Sequence, residues 1–290
     1  MNKRISLLLS GGLDSYVAYY FAAAAGYSIL PINIDLGHPY GHKEKEAIKK
    51  LGLIDRTLFL DCKVLSNAMG NQPTIDNWTI PARNLLLGTI GAMYSPEVWL
   101  CALSTEYNRV TKNADKSYEF FLMASGLLTF VCGMVQEGET LRKETLFRSP
   151  FKNLSKREVI YWALNNGISE VQLSKTTSCF DNTIQACGKC PACFNRWVAM
   201  KLNGIEEPHT IGEHPYDSPR GQKYLTEMRE AIIHTDFTHY TPQRIYEAMR
   251  AVSKGGILLD SITNHFVDSH MDEFESRLTG VASAHQRISE

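Results

Sequence analysis

Residues 5–15 read I-S-L-L-L-S-G-G-L-D-S, and this stretch decides the fold. An apolar run through Leu8 and Leu9 ends in Ser10-Gly11-Gly12-Leu13-Asp14-Ser15, and D-S-Y-V-A-Y-Y-F-A-A-A-A (14–25) follows, ending at Gly26. The run predicts a buried strand over 4–9, and the segment after it predicts a helix. Two glycines let the backbone turn sharply and approach a ligand closely. A helix starting near Asp14 points its first N–H groups at the turn and favours an anion there. Ser10 and Ser15 add hydroxyl donors, so a phosphate or pyrophosphate group is the natural occupant. The plainer reading is a Gly-Gly turn with Asp14 as a helix cap.

Outward from this turn, strands and helices alternate. Strands are predicted at 29–35, 56–60, 97–103 and 144–150, and helices at 42–51, 82–94 and within 118–133. Residues 154–167 predict a helix in which Ser155 and Glu158 form a capping box and Gly167 supplies the stop. Apolar strands alternating with helices predict an α/β fold: an open, mostly parallel five-stranded sheet with helices on both faces. Asp35 closes the second strand, where such a sheet places ligand-binding residues, although a solvent-facing turn carboxylate is equally consistent.

The chain has 290 residues, of which 44% are hydrophobic and 21% charged, enough apolar material for a well-filled core. Its net charge of −1 gives no general attraction to nucleic acid or to an anionic membrane. No apolar stretch reaches about 18 residues, so no membrane span is expected. The short basic and apolar start reads as a first strand rather than a signal peptide.

Four of the seven cysteines cluster at Cys179, Cys187, Cys190 and Cys193. Such clustering argues for a metal in a reducing, cytoplasmic setting rather than for disulfides. Four thiolates at this spacing suit a tetrahedral, structural Zn²⁺ with no open position, and an iron–sulfur cluster is the competitor. The site would tie the end of the sheet domain to a helix at 194–202.

Beyond Gly204 a stretch rich in Pro, Gly and His reads as a linker, and 221–290 reads as a small helical appendage. Six of the nine histidines fall within 209–270, at spacings that match no metal motif. The division expected is therefore 1–204, with the knuckle at 179–193, and 205–290.

The S-G-G-L-D-S turn lacks the Gly-Lys-Ser/Thr ending of the Walker motif and the third glycine of the dinucleotide motif. It resembles the PP-loop of ATP pyrophosphatases, which adenylate a substrate oxygen and release pyrophosphate. Together with the four cysteines, the pattern resembles the 7-cyano-7-deazaguanine synthase family. The matching elements are S-G-G-L-D-S (10–15), D-L-G-H (35–38), P-A-R-N-L-L (81–86), L-S-K-R-E (154–158), and T-T-S-C-F (176–180) ahead of C-G-K-C-P-A-C (187–193). They cover about residues 3–204.

The resemblance implies an enzyme that uses ATP, Mg²⁺ and ammonia to convert 7-carboxy-7-deazaguanine to a nitrile. It assigns the ATP cradle to Leu8, Leu9, Ser10, Gly11, Gly12, Leu13, Asp14 and Ser15 and nucleotide or substrate binding to Arg83 and Asn84, and Asp35 joins them as a cofactor-binding candidate. Asp14, Ser15 and Lys156 take catalytic roles, Lys156 on the ATP phosphates. A lysine in the first turn of a helix opposes the helix dipole, which argues against a merely structural placement. An ordinary first-turn lysine, and a buried ion pair at Arg83, are the competing readings. Thr177 and Ser178 either face the substrate or only support the knuckle. Relatives suggest a homodimer.

Three departures stand out. P-A-R-N replaces P-G-R-N, D-L-G-H lacks the family's tyrosine and glutamine, and residues 105–121 keep Asp115 but not an aspartate-cysteine-arginine run. A divergent ligase that stops at the amide or uses another amine is one alternative. A non-catalytic, zinc-knuckle nucleic-acid-binding module is the other, opposed by the net charge and the intact loop.

Overall fold

The computed structural model describes residues 3–37, 41–63, 82–106, 114–132, 144–179, 186–207 and 215–288. His38, Pro81, residues 107–113, Gly133, Phe180 and residues 208–214 lie outside these. The chain forms two compact units. One comprises Met1–Asn153 with His285–Glu290, and the other Leu154–Ala284. This packing division falls inside the segment 1–204 that the resemblance groups together.

The first unit is built on a sheet of five parallel strands: β1 (Arg4–Leu8), β2 (Ser28–Asp35), β3 (Leu58–Asp61), β4 (Glu97–Trp99) and β5 (Leu146–Arg148). Their order is β3-β2-β1-β4-β5. Ile5, Ser6, Leu7 and Leu8 are consecutive and all buried, so both faces of β1 are covered, as the unbroken apolar run requires. Chain order reverses at β1, between β2 and β4. An open α/β sheet opens its ligand crevice at the carboxyl ends of the strands at such a reversal. The glycine turn follows β1 at this point.

Among the described residues, helices α1 (Leu13–Ala24), α2 (Gly41–Lys50), α3 (Arg83–Ala92) and α4 (Tyr118–Cys132) belong to the same unit. The glycines of α3 let it lie close on the sheet: a Cβ on Gly88 would fall 2.6 Å from Phe147, and one on Gly91 2.5 Å from Val98. The predicted fourth and fifth strands pair over only three residues each. Beyond Trp99 the chain leaves the ladder, and Leu103 and Ser104 line a cavity instead.

The second unit is helical: α5 (Lys156–Asn165), α6 (Glu170–Ser174), α7 (Pro191–Leu202), α8 (Pro219–His234), α9 (Pro242–Lys254) and α10 (Ser261–Val281). Phe194 and Trp197 of α7 pack with Met228 of α8, Ile245 and Tyr246 of α9, and Phe274 of α10. Ser218, Thr241 and Asp260 cap α8, α9 and α10 by accepting the N–H groups of Gly221, Arg244 and Thr263. The expected helical appendage is therefore three capped helices sharing one core with α7. No helix among the described residues is long and apolar enough to cross a membrane.

Candidate active site and metal centre

The turn after β1 is braced by its own serines. Ser10 N–H donates to Ser15 Oγ at 3.3 Å, the two hydroxyls lie 3.2 Å apart, and Gly12 N–H donates to Ser10 Oγ at 3.3 Å. Ser15 Oγ donates to the Gly12 carbonyl at 3.1 Å. Gly11 has φ +70°, the left-handed region that disfavours a side chain. A Cβ there would also fall 2.8 Å from the Glu44 carbonyl and 2.9 Å from Ala47 Cβ. The loop backbone therefore rests directly on α2. Gly12 is the N-cap of α1 and no side chain caps this helix. A helix start behind a glycine turn is the kind of place where an anion binds.

Two residues that the sequence reading passed over support this turn. Asn33 Nδ2, from β2, donates to the Leu9 carbonyl at 2.9 Å and to Glu44 Oε2 at 3.1 Å. Burial pushes the Glu44 carboxyl up to about 8, against the Asn33 hydrogen bond and the Arg83 charge, while the Asp35 charge adds to the rise. Asp35 lies against the start of α2, where a Cβ on Gly41 would fall 3.0 Å from its Oδ1. The only sequence signal for Glu44 was its place in the charged run of α2, which reads as a solvated face.

Asp35 Oδ1 accepts the Gly37 N–H at 2.8 Å, and Lys63 Nζ lies 3.1 Å from Asp35 Oδ2 and from Asp61 Oδ2. Arg83 Nε donates to Asn84 Oδ1 at 3.3 Å, and buried Asn84 donates to the Asp115 carbonyl at 3.2 Å. Asn84 therefore braces the start of α3 against the turn at Asp115. Ala82, at the N-cap of α3, has φ 58° and ψ 11°. Here P-A-R-N departs from the glycine of the resembling pattern, and the left-handed backbone is the conformation that glycine would take without strain.

A cavity of about 410 Å³ opens past the ends of β4 and β5. Tyr118, Phe121 and Phe147 give it aromatic walls, and Lys116, Arg148 and Lys152 give it cations. Lys116 pairs with Glu106 at 3.0 Å, Arg148 is held by Glu97, and Lys152 Nζ stands 5.4 Å from the Tyr118 ring centre. Its volume lies within the usual range for small-molecule pockets.

The remaining site residues belong to the second unit. Lys156 is the first residue of α5, behind the capping box of Ser155 and Glu158. Cys179, Cys187, Cys190 and Cys193 are all buried, and their sulfurs lie within 4.8 Å of one another. Cys190 and Cys193 Sγ are 3.5 Å apart, and the Cys187 N–H donates to Cys179 Sγ at 3.3 Å. A tetrahedron of thiolates around zinc has edges of about 3.8 Å, so four sulfurs at these distances suit a metal ion. Hydrogen bonds from Cys187, Cys190 and Cys193 hold the Cys179 thiol far below its ordinary value. The same crowding, led by Cys179, pushes Cys193 far up.

Helix α7 starts inside the cluster, with Cys190 as N-cap and Pro191 in its first turn, earlier than the predicted 194. Its buried Arg196 donates to Thr176 Oγ1 at 2.7 Å, to Ser178 Oγ at 3.3 Å and to the Leu173 carbonyl at 2.9 Å, and pairs with Glu207 at 2.6 Å. Ser178 is therefore tied to α7, which favours the supporting role for this segment. Arg196 carried no motif signal.

Fold and site define a parallel α/β protein with a glycine turn after its first strand, at the reversal of strand order, and with a buried four-thiol group able to bind a metal. The family model described as "Queuosine biosynthesis protein QueC" matches residues 4–204, and the chain belongs to that family. Similar proteins include a 7-cyano-7-deazaguanine synthase of Sulfolobus acidocaldarius, 27% identical over 229 residues, covering 71% of this chain and 47% of that protein. Proteins of the same description from Campylobacter jejuni subsp. doylei and Pseudomonas putida are 24% and 27% identical, each across 71% of this chain and 95% and 97% of their own lengths. The chain thus spans about half the length of the Sulfolobus protein and almost the whole of the other two.

Proposed function

We propose that the protein is an ATP-dependent ligase that converts 7-carboxy-7-deazaguanine and ammonia to 7-cyano-7-deazaguanine. The observation that carries the proposal is the uncapped start of α1 behind Ser10, Gly11 and Gly12, at the reversal of strand order, in a chain of this family. On this reading 1–204 is the ligase domain and 205–290 an extension of it.

A carboxylate is a poor electrophile, and transfer of AMP from ATP to one of its oxygens creates a leaving group while pyrophosphate departs. Ammonia displaces AMP and gives the amide. Adenylation of the amide oxygen by a second ATP, followed by loss of AMP and protons, leaves the nitrile. Each nitrile therefore consumes a pair of ATP molecules. The protein contributes positioning and charge neutralisation. Backbone N–H groups at Gly11 to Ser15 and the Ser10 and Ser15 hydroxyls hold the pyrophosphate portion, Asp14 faces the Mg²⁺ that accompanies ATP, and Lys156 neutralises phosphate charge. Arg83 and Asn84 border the nucleotide. The aromatic cavity takes the flat deazapurine, with Lys152 toward its carboxylate. Zn²⁺ on the four cysteines is structural, since a closed thiolate site leaves no position for substrate.

The test is incubation with ATP, Mg²⁺, ammonium and 7-carboxy-7-deazaguanine, with AMP, pyrophosphate and product mass as readouts. Nitrile with AMP in twofold excess is expected. Amide alone would replace the nitrile with the earlier product, and no AMP release with the acid present would overturn the ligase reading.

A further inference from the structure

The family match ends at residue 204, yet side chains beyond it grip the segment that carries Lys156. In the capping box of α5, Ser155 N–H donates to Glu158 Oε2 at 2.6 Å and Glu158 N–H donates to Ser155 Oγ at 3.2 Å. The proton of the Ser155 hydroxyl goes to Glu247 Oε1 of α9 at 2.5 Å, and Gln243 Nε2 donates to the same oxygen at 3.2 Å. Arg277 Nε of α10 donates to Glu158 Oε1 at 2.8 Å. Arg157 Nη2 pairs with Glu275 Oε2 of α10 at 2.6 Å, and Tyr246 OH of α9 donates to Glu275 Oε1 at 2.7 Å. Ser155, Arg157 and Glu158, the residues flanking Lys156, are thus each held by α9 or α10.

Docking the helices does not require this network. The apolar cluster of α7 to α10 already supplies adhesion, and Ser155, Arg157, Glu158 and Glu247 are all buried. Buried charged and polar groups cost desolvation, and apolar residues of the same volume would hold the helices at least as well. A buried network bonded this densely fixes one geometry, and its one orphan here is Arg157 Nε. Here the geometry fixed is the first turn of α5.

We propose that α9 and α10 set the position of Lys156 through the α5 cap, with Glu247 as the positioning residue. The proposal rests on the reading that Lys156 meets the ATP phosphates. It gives residues beyond 204 a role in substrate binding: they orient a phosphate-binding lysine from behind.

The test uses the full chain and two readouts, ATP kinetics and amide hydrogen exchange over residues 156–158. Glu247→Ala is expected to raise KM for ATP about tenfold with kcat within twofold, and to speed exchange at these amides at least tenfold. Glu247→Gln keeps an acceptor for Ser155 and is expected to stay within about threefold of the parent in both. Met228→Ala, a core truncation in α8 away from α5, destabilises the unit but leaves KM and α5 exchange unchanged. Should Glu247→Ala not fold, Arg277→Met is read in its place, with at least a threefold rise in KM. The proposal is overturned by a folded Glu247→Ala with unchanged KM and exchange, or by Met228→Ala raising KM as much. If the parent chain releases no AMP from ATP, the ligase reading falls, and exchange in the variants alone decides the positioning claim.

Discussion

Helices α1 and α5 begin in opposite ways. At α1 the N-cap is Gly12, which makes no side-chain cap bond, whereas at α5 Ser155 and Glu158 close a full capping box. An uncapped start facing a glycine turn lends its backbone donors to a ligand. A capped start has two of its donors taken by its own box and offers a side chain, here Lys156, from a fixed platform. Two further starts extend the contrast. Cys190 opens α7 from within the thiol cluster, and Ala82 opens α3 from a left-handed backbone. The four helices thus open in four different ways.

The largest effect is expected at α7, whose start shares residues with the metal cradle. Cys193→Ser should abolish stoichiometric zinc and lower stability by several kcal/mol, since structural zinc contributes on the order of 10 kcal/mol to small sites. Metal analysis and thermal melting would check it, and a variant that kept its zinc and its melting temperature would break the link between ion and helix start.

Next comes α1. Gly11→Ala puts a Cβ 2.8 Å from the Glu44 carbonyl and an alanine at φ +70°. We expect about 2–3 kcal/mol of destabilisation and roughly a hundredfold loss of ATP cleavage, read from denaturant midpoints and AMP release. Full turnover in this variant would mean that the uncapped start is not the phosphate cradle.

At α5 the contrast is sharpened by pH. Burial pushes Glu247 up to about 7 from 4.5, against the bond from Ser155 and with the Glu158 charge adding to the rise. The folded state then holds a proton that the unfolded chain has released. Its contribution to stability is complete below about pH 4.5 and is lost as pH rises towards 7, by up to about 1.4 kcal/mol per pH unit. Stability curves from pH 5 to 7.5 should accordingly be flatter for Glu247→Gln than for the parent, and equal slopes would remove Glu247 as a titrating group.

The smallest effect belongs to α3. Ala82→Gly relieves the left-handed alanine and should add about 0.5–1 kcal/mol, measurable as a higher urea midpoint. No gain would mean that the α3 start carries no strain to relieve.

These helix starts also show what could be read in advance. The glycine turn was legible because strand, turn and helix stand consecutively in the sequence, and the α5 cap because Ser155 and Glu158 obey a three-residue rule. The α7 start was misplaced because Pro191 sits between two ligands and the knuckle reads as loop. The five-residue helix α6 leaves almost no periodicity to detect. Strand β4 was overestimated because the apolar run 100–103 continues past the ladder, where Ala102 packs in the core and Leu103 lines the cavity. Asn33 with Glu44 and Ser155 with Glu247 were invisible, since such pairs are made by tertiary packing, the latter across 92 positions. In the candidate site, motif residues were found and their supports were not.

The four-thiol cluster carries a chemical liability. Cys190 and Cys193 Sγ are 3.5 Å apart, and a disulfide requires about 2.05 Å, so one short movement lets a peroxide convert two metal ligands into a cystine. An oxidant would eject the ion and unseat the start of α7 together, and a thiol reductant with fresh metal would restore both. Purified protein kept in air should lose zinc in proportion to the free thiols it loses.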